Sequence, residues 1–174
     1  MIRRIKIIGL IVGIAALALF LYKPVSILIF HIKEPKFLCP IDYDETMRLR
    51  SDGYGEGEFG AKRNRGRLHL GIDLQAPIGT PVRAAKSGKA FAKRNPGMGK
   101  YIVIEHIDGS KSIYGHLSKM FVMKGQPVNR GDIIGEVGKT GNAWNPCILP
   151  HLHFEIRIGE DPVDPLAGYM QLGK

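Results

Sequence analysis

Two histidines, His151 and His153, stand two positions apart in the segment PHLHFEIRIG of residues 150–159. Polar and apolar residues alternate through this segment, which is typical of a β-strand with one face on a core. In such a strand both imidazoles project from one face, while Leu152 and Phe154 project from the other. Imidazole binds zinc and exchanges protons near neutral pH, so this pair could act on one centre.

A second segment with polar donors is RLHLGIDLQAP, residues 67–77. If it forms a strand, His69 and Asp73 lie on the same face, with Gly71 leaving room between them. Gly71 and the lack of helix formers after it disfavour a helix. The segment therefore predicts an imidazole and a carboxylate directed at one point.

A third segment, SIYGHLS at residues 112–118, predicts a strand in which Tyr114 and His116 share a face. Four of the six histidines thus fall in three strand-like segments. Two histidines, one carboxylate and a water would complete a catalytic zinc site. Histidines that do not bind the metal could move protons. The spacing alone leaves open which histidines would bind and which would move protons.

The elements around these segments are short. Between residues 66 and 160, apolar or alternating runs are separated by glycine and proline, and no long helical period occurs. This pattern predicts an all-β domain of many short strands. The glycine-rich and charged residues 51–67 predict a long loop, and residues 31–50 predict a linker with at most one short helix.

The N-terminus predicts a membrane segment. Arg3, Arg4 and Lys6 precede the apolar residues 7–30, which are long enough to cross a bilayer. The basic residues favour a cytoplasmic N-terminus, with the following domain exported to the other side of the membrane. A signal peptide cleaved near residues 16–18 is the alternative, and the length of the apolar segment favours an anchor.

Lysine and arginine outnumber the acidic residues and give a formal charge of +9. This charge suits an anionic cell envelope, and no basic patch interleaved with aromatic residues points to nucleic acid. In an oxidising compartment Cys39 and Cys147 could form a disulfide or remain free thiols. Neither has a second cysteine at zinc-ligand spacing.

Four motifs, in order, give the chain a family resemblance. HLGIDLQAPIGTPVRA, YGHLSKM, GQPVNRGDIIGEVGKTGNA and PHLHFEIR resemble the lysostaphin/LytM-type zinc endopeptidases, which cut peptide cross-links in bacterial peptidoglycan. The resemblance implies a small antiparallel β-sheet domain, barrel- or sandwich-like, which would follow the single transmembrane helix predicted from residues 7–30. The corresponding division is an anchor or signal at 1–30, a linker at 31–50, the endopeptidase domain at 51–168 and a tail at 169–174.

The resemblance also implies roles for five residues. His69, Asp73 and His153 would bind Zn²⁺, while His116 and His151 would be catalytic. Peptidoglycan peptide is the implied substrate, the N-terminal helix would contact the membrane, and neither nucleic acid nor an organic cofactor is expected. A regulatory protein partner is left open. A non-catalytic zinc-binding scaffold of the same fold is the alternative, and the complete set of five residues favours catalysis.

The chain departs from the family pattern at two places. The loop NAWNPCILP, residues 142–150, is longer and more apolar than in many relatives, which leaves substrate preference open. Residues 62–68 lack the tyrosine that some members place before the first zinc histidine. Arg63, Arg65 or Arg67 could replace it electrostatically, but the base rate for charge runs favours a solvated loop.

Two further residues are interpreted as outside the chemistry. His106 shares the parity of Ile102 and Ile104, which predicts a structural histidine with hydrogen-bond partners. Trp144 lies in the apolar loop and could stack on substrate, although a single tryptophan indicates little by itself.

Overall fold

The computed structural model describes residues 2–44, 46–63 and 66–171. The chain divides into two compact units, with the boundary between Pro35 and Lys36. Each unit is described by itself below.

The first unit is a single helix, α1 (Ile2–Lys33). Its segment Ile11–Lys33 is 23 residues long, contains an 18-residue stretch with a mean hydropathy of 2.1, and is long and apolar enough to cross a membrane. The helix thus continues beyond the predicted boundary at residue 30. His31 and Lys33 lie in its last turn, where cations interact favourably with the helix dipole. Pro35 follows and disfavours continuation of the helix.

The second unit is built from β-strands, as the sequence predicts. Over residues 36–44, 46–63 and 66–171 the strands are β1 (Phe37–Leu38), β2 (Ser51–Asp52), β3 (Gly55–Glu56), β4 (Ile72–Gln75), β5 (Pro81–Arg83), β6 (Gly88–Asn95), β7 (Gly99–Glu105), β8 (Ser110–Gly115), β9 (Lys119–Met120), β10 (Gln126–Val128), β11 (Ile133–Glu136), β12 (His151–Ile158), β13 (Asp161–Val163) and β14 (Met170–Gln171). One 3₁₀ helix, Gly141–Trp144, lies between β11 and β12.

The main sheet is antiparallel and has the order β10-β6-β7-β8-β12-β13, with β4 also paired to β12. Among the described residues this path does not close into a barrel. A second, three-stranded sheet has the order β5-β11-β9. Two-stranded pairs are formed by β2 with β3 and, in parallel, by β1 with β14.

Strand β12 is the element that positions the site. It pairs along one edge with β8, and along the other edge first with β4 and then with β13. Odd-numbered and even-numbered side chains of β12 lie on opposite faces, as the alternation predicts. On the core side, the ring of Phe154 packs 5.4 Å from the ring of Tyr114. Both faces are nevertheless buried from His151 to Ile156, and on the polar face the rings of His69 and His116 pack against His153. The expectation of a half-buried strand is therefore wrong.

Residues 36–50 differ from the predicted linker. Phe37, Cys39 and Ile41 are buried in the core, and the segment contains strand β1 instead of a short helix. Apolar residues at alternate positions are the pattern of a strand with one buried face, which explains the difference. The C-terminal residues Met170–Gln171, predicted to belong to a tail, pair with this strand. Residues 172–174 lie outside the described residues.

Residues 51–67 also contain more structure than a long loop. Strands β2 and β3 form a hairpin, and the residues on either side of it, Arg50 and Gly57, make hydrogen bonds to β4. Arg50 N–H donates to Asp73 O, and Asp73 N–H donates to Gly57 O, each at 2.8 Å. A second antiparallel bridge joins Lys62 to Leu68. The hydrogen bonds to Asp73 attach the segment to the edge of β4 that does not pair with β12.

The two cysteines are free thiols in the structure. Cys39 is buried and Cys147 is exposed. Burial raises the pKa of the Cys39 thiol, which keeps it protonated and unreactive near neutral pH.

Candidate active site

The strand register brings the predicted residues together. His153 of β12 lies opposite Asp73 of β4 on one side and opposite Gly115 of β8 on the other. His69 precedes β4 and does not lie on it, contrary to the prediction of a strand running from His69 to Asp73. The backbone of His69 instead pairs with Gly60 and Ala61, and this returns its side chain to the Asp73 face.

Three side chains form a compact triangle of donor atoms. Nε2 of His69 lies 3.0 Å from Oδ1 of Asp73 and 2.9 Å from Nδ1 of His153. Nδ1 of His153 lies 2.9 Å from the same Oδ1. In a tetrahedral zinc site with ligand distances near 2.0–2.1 Å, neighbouring donor atoms are separated by about 3.3 Å. Since all three residues are buried and two imidazoles face one carboxylate oxygen, this donor set fits Zn²⁺.

The two imidazoles are held by their other nitrogens. Nδ1–H of His69 donates to the carbonyl oxygen of Glu58 at 2.7 Å, which leaves the Nε2 lone pair for a metal. Nε2–H of His153 donates to Oε1 of Glu155 at 2.9 Å, which leaves Nδ1. Arg157 in turn binds Oε2 of Glu155 at 2.8 Å. Such outer partners fix the tautomer and the orientation of metal-binding histidines.

The second oxygen of Asp73 is held by arginines. Nε and Nη2 of Arg50 lie 3.2 and 3.0 Å from Oδ2, and Nη2 of Arg63 lies 3.0 Å from it. Burial would raise the pKa of Asp73, but hydrogen bonds to His153 and His69 outweigh it and lower the pKa well below its ordinary value. Arg63 is therefore part of the site, and its interpretation as a residue of a solvated loop is wrong. Arg65 lies outside the described residues.

A turn after β8 places His116 at the site, and the alternation of side chains along the strand does not. Strand β8 ends at Gly115, and His116 has a φ of 62°, a left-handed conformation that is uncommon outside glycine. The Tyr114 ring packs in the core, where its hydroxyl accepts a hydrogen bond from Ala85 N–H. The prediction that Tyr114 and His116 share a face is therefore wrong, because the reversal at His116 ends the alternation. Backbone strain of this kind is often stored at functional sites.

His116 and His151 form the second part of the site. Their ring centroids are 5.0 Å apart, and His116 lies 5.9 Å from the His153 ring. Burial, followed by the nearby His153 and His151, lowers the pKa of His116 to about 3. Burial also lowers the pKa of His151. Both rings are therefore neutral near pH 7.

His153 differs in its charge state. Burial would lower its pKa, but hydrogen bonds to Asp73 and Glu155 together with their charges raise it to about 9. Without a metal the ring is thus an imidazolium between two carboxylates. A metal ion that bound Nδ1 would displace this proton, since histidine binds metals in its neutral form.

The five residues open onto a cavity of about 680 Å³. Its rim carries Tyr54 and Trp144, which are 53% and 73% exposed, and the 3₁₀ helix places Trp144 there. A separate cavity of about 740 Å³ lies beside Pro150 and, among the described residues, is lined by no histidine or cysteine. The five predicted site residues therefore share the first cavity.

Comparison with known proteins assigns the family. Residues 67–165 match the model of peptidase family M23. The chain belongs to this family. The match includes all five predicted site residues, the groove loop at 142–150 and most of the main sheet. This family match confirms the resemblance seen in the sequence.

Similar proteins include a peptidoglycan endopeptidase and two peptidases of known structure. The peptidoglycan DD-endopeptidase ShyB of Vibrio cholerae is 40% identical over 132 residues, which are 75% of this chain and 30% of ShyB. A solved zinc-containing peptidase from Vibrio cholerae is 36% identical, with a TM-score of 0.64 over 79% of this chain and 41% of that one. The catalytic domain of the antimicrobial peptidase lysostaphin from Staphylococcus simulans is 37% identical, with a TM-score of 0.55 over 67% of this chain and 90% of that one. The chain spans under a third of the length of the curated endopeptidases that it matches.

Five of the residues that meet at the site are predicted from the sequence, Arg63 is assigned there to a solvated loop, and Arg50 and Glu155 are not predicted. Arg50 lies in the segment interpreted as a linker, and no motif pointed to it. Glu155 shares the parity of His151 and His153, a signal that could have identified it as an orienting residue. His106 is structural, as predicted: its ring nitrogens lie 2.9 Å from Ser87 O and 3.0 Å from Ser112 Oγ.

Proposed function

We propose that the chain is a zinc-dependent endopeptidase that hydrolyses peptide cross-links or stem peptides of bacterial peptidoglycan. The observation that carries this proposal is the triangle of His69, Asp73 and His153 beside two further buried histidines in one groove. Membership of family M23 and the similarity to ShyB, a peptidoglycan DD-endopeptidase, support the substrate class. A zinc-binding scaffold would not need His116 and His151 at this position, so the alternative is disfavoured.

In this mechanism Nε2 of His69, Oδ1 of Asp73 and Nδ1 of His153 would hold the zinc ion. Zinc in such a site lowers the pKa of water to about 7 and polarises the carbonyl that is attacked. Glu58 and Glu155 keep the two imidazoles in the tautomers that present these nitrogens.

His116 and His151 perform the proton transfers. Each donates Nδ1–H to a backbone carbonyl, Thr140 at 2.9 Å and Leu149 at 2.7 Å, so each neutral ring has an unprotonated Nε2. A neutral Nε2 can accept the proton of the attacking water, and the imidazolium formed can donate it to the departing amine. An imidazolium in the groove would also stabilise negative charge that develops on the former carbonyl oxygen.

The activity is tested with the full chain in detergent, zinc and purified peptidoglycan, and the products are analysed by mass spectrometry. We expect new amino and carboxyl termini in the peptide fraction. They should be absent after chelation of the metal and in His153→Ala. Zinc binding without new termini would exclude the endopeptidase and favour the scaffold.

We also infer that α1 anchors the chain in the cytoplasmic membrane, with residues 36–174 on the outer side. The basic residues Arg3, Arg4 and Lys6 and the apolar segment Ile11–Lys33 support this orientation. Protease added to spheroplasts should digest the second unit from outside. A mature N-terminus near residue 18 would instead identify a cleaved signal peptide.

A further inference from the structure

The Asp73 carboxylate divides its two oxygens between two kinds of partner. Oδ1 faces the ligand nitrogens of His69 and His153 at 3.0 and 2.9 Å. Oδ2 lies 3.0 Å from a guanidinium nitrogen of each of Arg50 and Arg63. An arginine fork can hold a carboxylate in one orientation more rigidly than a single donor.

We propose that Arg50 and Arg63 are positioning residues of the metal centre, which hold Oδ2 so that Asp73 offers only Oδ1 to the metal. This inference rests on the proposed function, because it assigns Asp73 to the zinc site. It concerns the two arginines and goes beyond the family's zinc ligands.

Both arginines also make hydrogen bonds to groups other than Asp73. Nη1 of Arg50 lies 2.7 Å from Oδ1 of Asp52, and the Arg50 side chain is only 5% exposed. Nη1 of Arg63 donates to the carbonyl oxygen of Glu56 at 2.6 Å. Since Asp52 and Glu56 belong to the β2–β3 hairpin, this hairpin holds both guanidinium groups.

The charges of this group balance without the metal. Arg50 and Arg63 offset Asp52 and Asp73, so the carboxylate at Oδ2 is neutralised before zinc binds. Hydrogen bonds to Asp52 and the charge of Asp73 raise the pKa of Arg50 although burial opposes this, so its charge is permanent. With Oδ2 occupied, Asp73 can bind only through one oxygen, which preserves a four-coordinate site.

The test measures zinc affinity by competition with a chelator, using the full chain and zinc alone. Arg50→Met and Arg63→Met remove a guanidinium and keep most of the aliphatic volume. We expect each to weaken zinc binding by about 10- to 100-fold, the usual cost of losing an outer partner of a metal ligand. Arg50→Lys keeps the charge but loses the fork, and should recover only part of the affinity.

The matched control is Arg83→Met. Arg83 also pairs with a carboxylate, Asp42 at 2.6 Å, but at the surface and away from the histidines. The zinc affinity of the Arg83→Met variant should equal that of the wild type. Arg63, at 19% exposure, is less buried than Arg50, so Arg63→Met keeps the test decisive if Arg50→Met fails to fold.

A spectroscopic readout separates positioning from a purely structural role. In the cobalt-substituted protein we expect wild type to show the strong visible bands of four-coordinate metal. The Arg→Met variants should show weaker bands, because a released Oδ2 can join the coordination shell. A lower melting temperature of the metal-free variants with unchanged affinity and spectrum would overturn the proposal.

Two other outcomes would also decide the question. If Arg63→Met raises KM while zinc affinity stays unchanged, Arg63 binds substrate and is not a positioning residue. If wild type binds zinc but leaves peptidoglycan intact, the proposed function fails, while the affinity series still tests the two arginines.

Discussion

The rings of His116 and His151 lie 5.0 Å apart at an interplanar angle of 74°, and each points Nδ1 at a backbone carbonyl. This relationship fixes the same tautomer in both rings and directs both free nitrogens toward the cavity. Neither ring needs the metal to hold its place, since its anchor is the backbone of Thr140 or Leu149. Metal binding and proton transfer are therefore assigned to different residues of one groove.

This division of roles predicts different results for two alanine variants. His153→Ala should lose zinc, because Nδ1 is one of three donors, and should lose activity with it. His116→Ala should retain zinc and lose activity by about 10²- to 10⁴-fold, the usual contribution of a proton-transfer group. Metal content by mass spectrometry and peptidoglycan digestion measure the two effects. Equal loss of zinc in both variants would contradict the division.

Zinc should also stabilise the folded domain. A ligand that binds only the native state stabilises it by about 2.7 kcal/mol at a concentration 100 times its Kd. Wild type should therefore melt at a higher temperature with zinc than with chelator, measured by calorimetry. His153→Ala should show no such difference, and an equal increase in this variant would place the zinc elsewhere.

The sequence predicts which side chains meet at the site better than it predicts the strands and turns that hold them. Parity was sufficient for His151, His153 and Asp73, because β12 and β4 are regular strands in register. It failed at His116, where a positive φ reverses the chain, a feature that only tertiary contacts stabilise.

The arginines show a different kind of limit. Arg50 and Arg63 reach Asp73 through the β2–β3 hairpin, over sequence separations of 23 and 10 residues. Local composition marks that hairpin as a glycine-rich loop, since its strands are only two residues long. Contacts of this kind depend on packing, which residue periodicity does not encode.

Gly71 is a position where a side chain cannot be accommodated. A Cβ there would lie 2.3 Å from the carbonyl oxygen of Phe154, so β4 would have to move away from β12. We expect Gly71→Ala to destabilise the fold by more than about 2 kcal/mol and to weaken zinc binding through Asp73. Gly53→Ala is the control, since nothing lies within 4 Å of its added carbon. Denaturant unfolding compares the two, and equal stabilities would refute the packing argument.

Asp108 should make stability depend on pH. Its carboxylate pairs with the buried Lys86 at 3.0 Å. Burial would raise the pKa of Asp108, but hydrogen bonds from Ser110 and the Lys86 charge outweigh this and lower it. A lowered pKa contributes stability that is present above the unfolded value near 4 and is lost as the pH falls through the folded value.

Asp108→Asn should therefore cost about 3 kcal/mol at pH 7, the scale for removing one member of a buried pair. The difference from wild type should begin to shrink below about pH 4, where the unfolded state takes up a proton at Asp108, and should be lost once the pH falls through the lowered pKa of the folded protein. Urea unfolding at several pH values measures this. The control is Asp42→Asn. Because the ion pair of Asp42 with Arg83 is exposed, this substitution should change stability by less than about 0.5 kcal/mol. A constant difference across the pH range would exclude ionisation of Asp108 as the cause.

Trp144 provides the test of the groove loop. Its side chain is 73% exposed on the cavity rim, so the folded protein gains little from it, and Trp144→Ala should change stability by less than about 0.5 kcal/mol. A substrate peptide that packs on the indole would lose this contact in the Michaelis complex and the transition state alike. We therefore expect a higher KM with kcat and zinc affinity close to wild type. Phe121→Ala is the matched control, because that aromatic ring is also exposed but does not line the cavity. Unchanged KM in Trp144→Ala would exclude the loop as a substrate-binding surface.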